Sequence, residues 1–250
     1  MSRRRATPTG RRTSAVRDRR TPLRRLRRWL FGAVLVGVLG SLALVAAFRW
    51  VDPPLSAVML SRLASEGQPQ HQSWVALSGI SPQMALAVVA AEDQRFPDHW
   101  GFDTREIAAA LQRHLDGGQL RGASTISQQV ARNLFLWQGR SFVRKGLEAW
   151  FTALLEGLWP KRRILEMYLN FAQTGERTFG VAAASRRYFG VEPDRLSAGQ
   201  AALLAAALPN PVRYRVAAPS DYLLSRREWV LQQMRNLGGT AYLDALFVDD

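Results

Sequence analysis

The longest apolar run in the chain covers residues 29–48, WLFGAVLVGVLGSLALVAAF, twenty positions without a charge. As a helix it spans about 30 Å, the thickness of a bilayer's hydrocarbon core, and so predicts a transmembrane segment. A cleaved signal peptide has a shorter apolar core and a small-residue cleavage site. Here Arg49 and Trp50 follow a full-length span, the pattern of an uncleaved anchor. Pro53, Pro54, Gly67 and Pro69 punctuate residues 49–74, which read as an irregular connector with room for one short helix. Ser81 and Pro82 read as an N-cap and first helical position, opening QMALAVVAAEDQRF, an alanine-rich, nearly all-apolar helix that belongs in a core. Helical spacing predicts further helices at 103–116, 124–136, 142–158, 161–170, 180–188, 197–208 and 221–236, several with glycine or proline near an end. Within 142–158, Val143, Leu147, Trp150, Phe151, Leu154 and Leu158 form a stripe that reads as core packing. Residues 174–179 read as a loop or short hairpin, so the predicted class is mainly α with minor β, preceded by one N-terminal transmembrane helix.

Composition narrows this picture. At 250 residues with 47% hydrophobic content, the chain is long enough for one well-buried domain but not for a second full one. Of the formal net charge of +14, the first 28 residues supply +11, with twelve arginines against Asp18 alone. The basicity is a property of the tail, and its position before the apolar run places the N-terminus in the cytoplasm and residues 49–250 outside. A topology signal explains both the charge and its location, which a nucleic-acid-binding tail does not. There is no cysteine, so thiol chemistry, disulfides and thiolate metal sites are excluded. His71, His99 and His114 show no metalloprotease spacing, and no zinc site is predicted.

Three segments hold candidate chemistry. In EDQRFPDHWGFD, Glu92 and Asp93 close a buried apolar helix. Desolvation and the negative end of the helix dipole both raise a carboxyl pKa there and make a better base. On spacing alone Glu92 can equally begin a solvated loop; Asp93 is the weaker catalyst, and a lone loop histidine such as His99 is more often structural. In RGASTISQQVARN, small residues precede a helix whose N-terminal amides can bind an anion. Thr125 and Gln128 have capping-box spacing, and Thr125, Gln129 and Arg132 form a polar strip. A well-capped surface helix is the plainer alternative for that segment taken alone. In SFVRKGLEAWF, Arg144, Lys145 and Glu148 share a helix face. The base-before-acid order is the less stabilising one for a surface ion pair, and two cations with one acid suit a diphosphate. Arg140, just before the helix, adds a further candidate contact.

Taken in order, these segments resemble the five motifs of glycosyltransferase family 51, the peptidoglycan glycosyltransferases. EDQRFPDHWGFD is similar to the pattern acid-Asp-x-x-Phe-x-x-His-x-Gly, RGASTISQQVARN to Gly-Gly-Ser-Thr-Ile-Thr-Gln-Gln, and RKGLE to Arg-Lys-x-x-Glu. KRRILEMYLN resembles the fourth motif, and FGVAAASRRYFG through LSAGQAALLAAALPNP the fifth region. The resemblance covers about residues 75–237 and is nearest to the monofunctional biosynthetic subtype of Gram-negative bacteria, with no serine transpeptidase signature following. Ala123, Ser127 and Arg132 stand where many members have glycine, threonine and lysine. Arg132 keeps the charge but replaces a point charge by a planar fork.

The resemblance implies a lysozyme-like, mostly helical fold. It also implies Glu92 and Glu148 as catalytic carboxylates, and substrate contacts from Asp93, Phe96, His99, Ser124, Thr125, Gln128, Gln129, Arg132, Asn133, Arg140, Arg144 and Lys145. The substrates it implies are lipid II and a growing lipid-linked glycan, joined at the outer face of the bacterial inner membrane. Other cell-wall synthesis or division proteins are the expected kind of partner, and nucleic acid is not. No cofactor is required by the motifs, although a divalent cation, Mg or Mn, is compatible with a diphosphate leaving group. The organisation expected is a cytoplasmic tail (1–28), an anchor (29–48), a connector (49–74) and a glycosyltransferase domain (75–250). The apolar residues of 103–140 read first as core and alternatively as a surface dipping into the membrane. Two other classes remain open on sequence: a lytic glycosidase using paired carboxylates, against which the cation cluster argues, and a non-catalytic membrane scaffold.

Overall fold

A computed structural model describes residues 20–67, 70–118, 124–139 and 141–247. The Arg-rich tail before residue 20, Ala123 and Arg140 lie outside the described residues. The chain divides into two compact units, 1–41 and 42–250. The first long helix, α1 (Arg20–Phe48), begins nine residues ahead of the apolar run, because Pro22 is tolerated in its first turn and the arginines that follow favour helix. Its stretch Arg24–Phe48 is long and apolar enough to cross a membrane.

Among the described residues ten more α-helices follow: α2 (Ala57–Glu66), α3 (Pro82–Glu92), α4 (Thr104–Leu115), α5 (Ile126–Phe135), α6 (Phe142–Leu158), α7 (Lys161–Phe171), α8 (Val181–Phe189), α9 (Ala198–Ala207), α10 (Asp221–Asn236) and the single turn α11 (Asp244–Phe247). The predicted mainly α class is the one observed. Among the described residues, β structure is limited to two isolated bridges, His71 with Thr178 and Gln173 with Phe179. Residues 174–179 form a tight reversal, with the Thr174 N–H on the Thr178 carbonyl at 2.9 Å.

The core is organised around α3. Seven consecutive residues from Met84 to Ala90 are buried, so this helix has no solvent face, and α9 and α10 pack against it. Each fully buried Met, Leu or Val side chain there contributes roughly 1.5–3 kcal/mol. The second layer is α5, which packs against α6 and α7. Phe135 of α5 stacks on Phe151 of α6 with ring centres 4.5 Å apart. Glu92 at the end of α3 thus faces a seam between two helix groups.

Three expectations are corrected. Ser81 does hold the N-cap position of α3, with Pro82 in the first turn as expected, but it does not cap the helix with its side chain. Its hydroxyl donates instead to the Leu196 carbonyl at 2.8 Å, tying the start of α3 to the loop before α9. The stripe on α6 is core only in its second half: Phe151, Leu154 and Leu158 pack against the core, whereas Val143, Leu147 and Trp150 are exposed. Helical spacing reports that a face is apolar, not what covers it. The apolar residues of 103–140 likewise divide. Leu134 and Leu136 are buried, but Ile107, Leu111, Leu115 and Trp137 are exposed, as are Phe142 and Val143 at the start of α6.

The last turn of α1 belongs to the second unit. Trp159, just after α6, donates its indole N–H to the Val45 carbonyl at 2.7 Å. Arg163 of α7 donates to the Phe48 carbonyl at 3.0 and 3.1 Å and to the Val51 carbonyl at 3.1 Å, and pairs with Asp52 at 2.8 Å. A helix C-terminus leaves carbonyls without partners, and here a guanidinium supplies the donors.

Candidate active site

Glu92 is the last residue of α3 and is only partly exposed. Burial holds its carboxyl above the usual carboxylate range; a hydrogen bond from Gln129 and the charges of Arg226 and Arg132 oppose this, and Asp93 adds a smaller upward push. Gln129 Nε2 donates to Glu92 Oε2 at 2.8 Å. The upward shift expected of a carboxyl at a buried helix end is thus present and due mainly to desolvation.

Asp93 turns the other way. It is buried, and His99 Nε2 lies 2.9 Å from its Oδ1 while the Ile126 N–H donates to its Oδ2 at 2.9 Å. A carboxylate only accepts, so Nε2 carries the proton; Nδ1 is buried without a hydrogen-bond partner. The pair therefore clamps the loop after α3 to the start of α5. This corrects the expectation that the first turn of α5 is open to a ligand anion. The Ile126 amide is already taken by Asp93 and the Gln128 amide by Thr125 Oγ1 at 3.2 Å, and Ile126, Ser127 and Gln128 are buried. Thr125 and Gln128 form the predicted capping box, and Thr125 Oγ1 also donates to the Gly101 carbonyl at 2.6 Å. Gly101 has φ +73° and a Cβ there would sit 2.6 Å from Thr152 Cγ2, so only glycine lets the loop approach α6 this closely.

Phe96 is fully buried, with the Lys161 ammonium 4.6 Å from its ring centre. It occupies a packing position and presents no surface to a substrate. His99 is enclosed by the same network, and Ser124 is exposed at the segment's edge. Lys161 donates to the His99 carbonyl at 2.5 Å and to Glu156 at 2.8 Å, and Glu156 also accepts from Ser127. These contacts hold the Asp93–His99 loop from beneath.

Glu148 is buried between its two predicted cations. Arg144 Nη1 lies 2.8 Å from its Oε2, and Lys145 Nζ contacts its Oε1. The arrangement is not a surface ion pair, because the carboxylate and most of Arg144 are inside while Lys145 is half exposed.

A cleft of about 510 Å³ opens beside these groups, with Gln129, Arg132, Asn133, Trp137, Arg144 and Tyr168 in its wall. Neither Glu92 nor Glu148 is a wall residue, but each is bonded to one: Glu92 to Gln129 and Glu148 to Arg144. The cleft thus brings two guanidinium groups to the same cavity as the residue that holds the raised carboxyl. Asp93, His99 and Asp103 offer ligand atoms within 4.8 Å of one another. Most of their bonds are spent internally: Asp93 accepts from His99 and Ile126, and Asp103 Oδ1 accepts from Arg95 at 2.9 Å and from two amides at the start of α4, while His99 Nδ1 is without a hydrogen-bond partner. That donor set fits a buried polar network with its own cation rather than a divalent ion.

The family profile described as Transglycosylase matches residues 58–235. The chain belongs to the transglycosylase family. Relatives of this transglycosylase carry the name biosynthetic peptidoglycan transglycosylase. One from Pseudomonas putida strain F1 is 51% identical over 228 residues, covering 89% of this chain and 95% of the relative. Another from Pectobacterium carotovorum strain PC1 is 52% identical over 227 residues, 88% of this chain and 93% of its own. A third from Citrobacter koseri is 50% identical over 234 residues, 91% and 97% of the two chains.

Four residues around the candidate site carry no role in the sequence motifs. Tyr168 lines the cleft and bonds to Gln129; Lys161 and Glu156 brace the loop below it; Arg226 of α10 acts on Glu92 through its charge. Lys161 and Tyr168 lie inside KRRILEMYLN, which offered a position but no role. Arg226 has no local signal, since it meets Glu92 only through the packing of α10 on α3.

Proposed function

We propose that the protein is a membrane-anchored peptidoglycan glycosyltransferase that polymerises lipid II into β-1,4-linked glycan and releases undecaprenyl diphosphate. The reading is carried by Glu92: a carboxyl raised by burial and bonded to the wall of a cleft that also bears Arg132 and Arg144. In the proposed reaction Glu92 takes the proton of the acceptor's N-acetylglucosamine 4-hydroxyl as that oxygen attacks the anomeric carbon of the donor's N-acetylmuramic acid. The bond to the diphosphate breaks, and an α linkage becomes β in one inversion. One base suffices and no covalent intermediate forms.

Negative charge grows on the departing diphosphate, and fixed cations in a water-poor cleft stabilise it most where it develops. Arg132, Arg140, Arg144 and Lys145 are assigned that task. Glu148 is assigned the role of holding Arg144 and Lys145, a role supported by its burial between them. Any divalent cation would act on the diphosphate itself.

The membrane part of the proposal rests on α1 and on the exposed apolar residues Ile107, Leu111, Leu115, Phe142 and Val143. A single-pass anchor in the inner membrane, with the N-terminus cytoplasmic and the catalytic domain periplasmic, keeps the enzyme on the surface that holds its polyprenyl-linked substrates. The proposed division is a tail at 1–28, anchor at 29–48, connector at 49–74 and catalytic domain at 75–250. The test is the full chain in detergent with labelled lipid II. Polymer from the wild type and none from folded Glu92→Gln is the expected result; cleavage of mature peptidoglycan without polymer synthesis would overturn it.

A further inference from the structure

We propose that Tyr168 is a positioning residue for glycosyl transfer, acting on Glu92 through the side-chain amide of Gln129. The inference rests on the reading of Glu92 as the base and adds what keeps that base in place. Three elements meet here: Glu92 ends α3, Gln129 lies on α5 and Tyr168 on α7. Gln129 Nε2 is 2.8 Å from Glu92 Oε2, and Tyr168 Oη is 3.3 Å from Gln129 Oε1.

The direction of each bond follows from valence. An ionised carboxylate only accepts, so the amide must present its NH2 to Glu92 and its oxygen to Tyr168. An amide oxygen only accepts as well, so the phenol must donate. Tyr168 can do so at every pH at which the enzyme works, because burial first and the nearby charge of Glu92 second push its phenol well above the ordinary value. The hydroxyl therefore anchors the far end of an amide whose orientation the carboxylate already selects. Without it, the amide is held at one end only, and its NH2 holds Glu92 Oε2 less firmly.

Two consequences follow for Glu92. Its Oε2 is held by Gln129, which leaves Oε1 for the incoming hydroxyl, and the bond favours the charged form against burial. The groups that face this carboxylate are Asp93 beside it, Arg132 from α5, Tyr168 from α7 and Arg226 from α10. Of these, Tyr168 alone acts through a second side chain that also lines the cleft.

The experiment is the pH profile of lipid II polymerisation by the full chain in detergent, for wild type, Tyr168→Phe, Gln129→Leu and the double variant. Tyr168→Phe is expected to lower kcat at neutral pH by roughly threefold to tenfold, the loss of one ordinary hydrogen bond. The acid limb of kcat/KM should move to higher pH while KM for lipid II changes by less than about twofold. Gln129→Leu should shift the limb in the same direction, and adding Tyr168→Phe to it should shift it no further, because the tyrosine acts only through the amide. A folded Tyr168→Phe with the wild-type limb overturns the proposal, and so does an equal shift in the Gln129→Leu background. Should Tyr168→Phe fail to fold, 4-fluorophenylalanine at 168 fills the hydroxyl's space without a proton to donate and is read the same way. Glu92→Gln separates the two layers. If it polymerises at the wild-type rate, the base assignment falls and takes this one with it. If it is inactive while the Tyr168→Phe limb stays in place, only the positioning role falls.

Discussion

Replacing Asp93 by asparagine tests whether the clamp between the loop after α3 and the start of α5 holds the site together. In the wild type the buried carboxylate accepts from His99 Nε2 and from the Ile126 N–H, both at 2.9 Å. An asparagine has one oxygen for two donors. If that oxygen serves Ile126, the amide NH2 faces Nε2, the imidazole must move its proton to Nδ1, and Nδ1 is buried without a partner. If it serves His99, the NH2 faces the Ile126 N–H, and the first amide of α5 is left without an acceptor. Either way one charge-assisted bond is lost and one buried donor is unpaired, about 3 kcal/mol together. For a domain of this size that corresponds to a melting temperature lower by roughly 6–12 °C. Thermal unfolding of the detergent-solubilised chain, followed by circular dichroism, measures it. Asp98→Asn, at an exposed position in the same loop, should change stability by less than about 0.5 kcal/mol. An Asp93→Asn protein that melts within about 2 °C of wild type refutes the clamp.

Three other outcomes are expected. Because burial holds the Glu92 carboxyl high, the folded state binds that proton more tightly than the unfolded chain; the resulting stabilisation is complete below the ordinary carboxylate range and is lost as pH rises through the folded value. Glu92→Gln should therefore melt above wild type at pH 7, with the gap closing on acidification; a gap independent of pH counts against the burial argument. Glu148→Gln leaves Arg144 and Lys145 facing each other across a neutral amide and should cost about 2–3 kcal/mol, below the full cost of breaking a buried pair because Lys145 is half exposed; denaturant titration gives the value, and a change under about 0.5 kcal/mol would argue that the cluster is not load-sharing. A chain starting at residue 42 keeps the carbonyls that accept from Trp159 and Arg163, whereas one starting at residue 53 loses them; the shorter chain should be less stable by at least about 2 kcal/mol, and equal melting would mean that the last turn of α1 contributes nothing to the second unit.

Much of the fold is legible because its signals are local. The ends of α4 through α10 fall within a residue or two of the spans read from periodicity, and the Thr125–Gln128 capping box follows from a four-residue pattern. What failed was the direction a side chain faces once helices pack. Ser81 holds the N-cap position as read, but its hydroxyl goes to the Leu196 carbonyl, 115 residues away, and not to the helix. Val143 and Leu147 look like core, but no described element covers them. Phe96 sits in a motif of polar and charged residues and yet lies in the core, under the Lys161 ammonium.

The candidate site divides along the same line. Arg144, Lys145 and Glu148 lie three and four apart on one helix, so their contact is contained in the spacing itself; only the burial of the carboxylate needed the fold. Glu92 is the opposite case. Its residue type and its place at a helix end suggested a base, but its partners come from α5, α7 and α10, and no spacing within α3 contains them. The raised carboxyl is therefore a property of how three helices close on the end of a fourth. Substitutions at Gln129, Tyr168 or Arg226 should reach Glu92 as directly as substitutions in its own segment, which is the reason to look for specificity and rate control on α7 and α10 as well as in the motif that bears the acid.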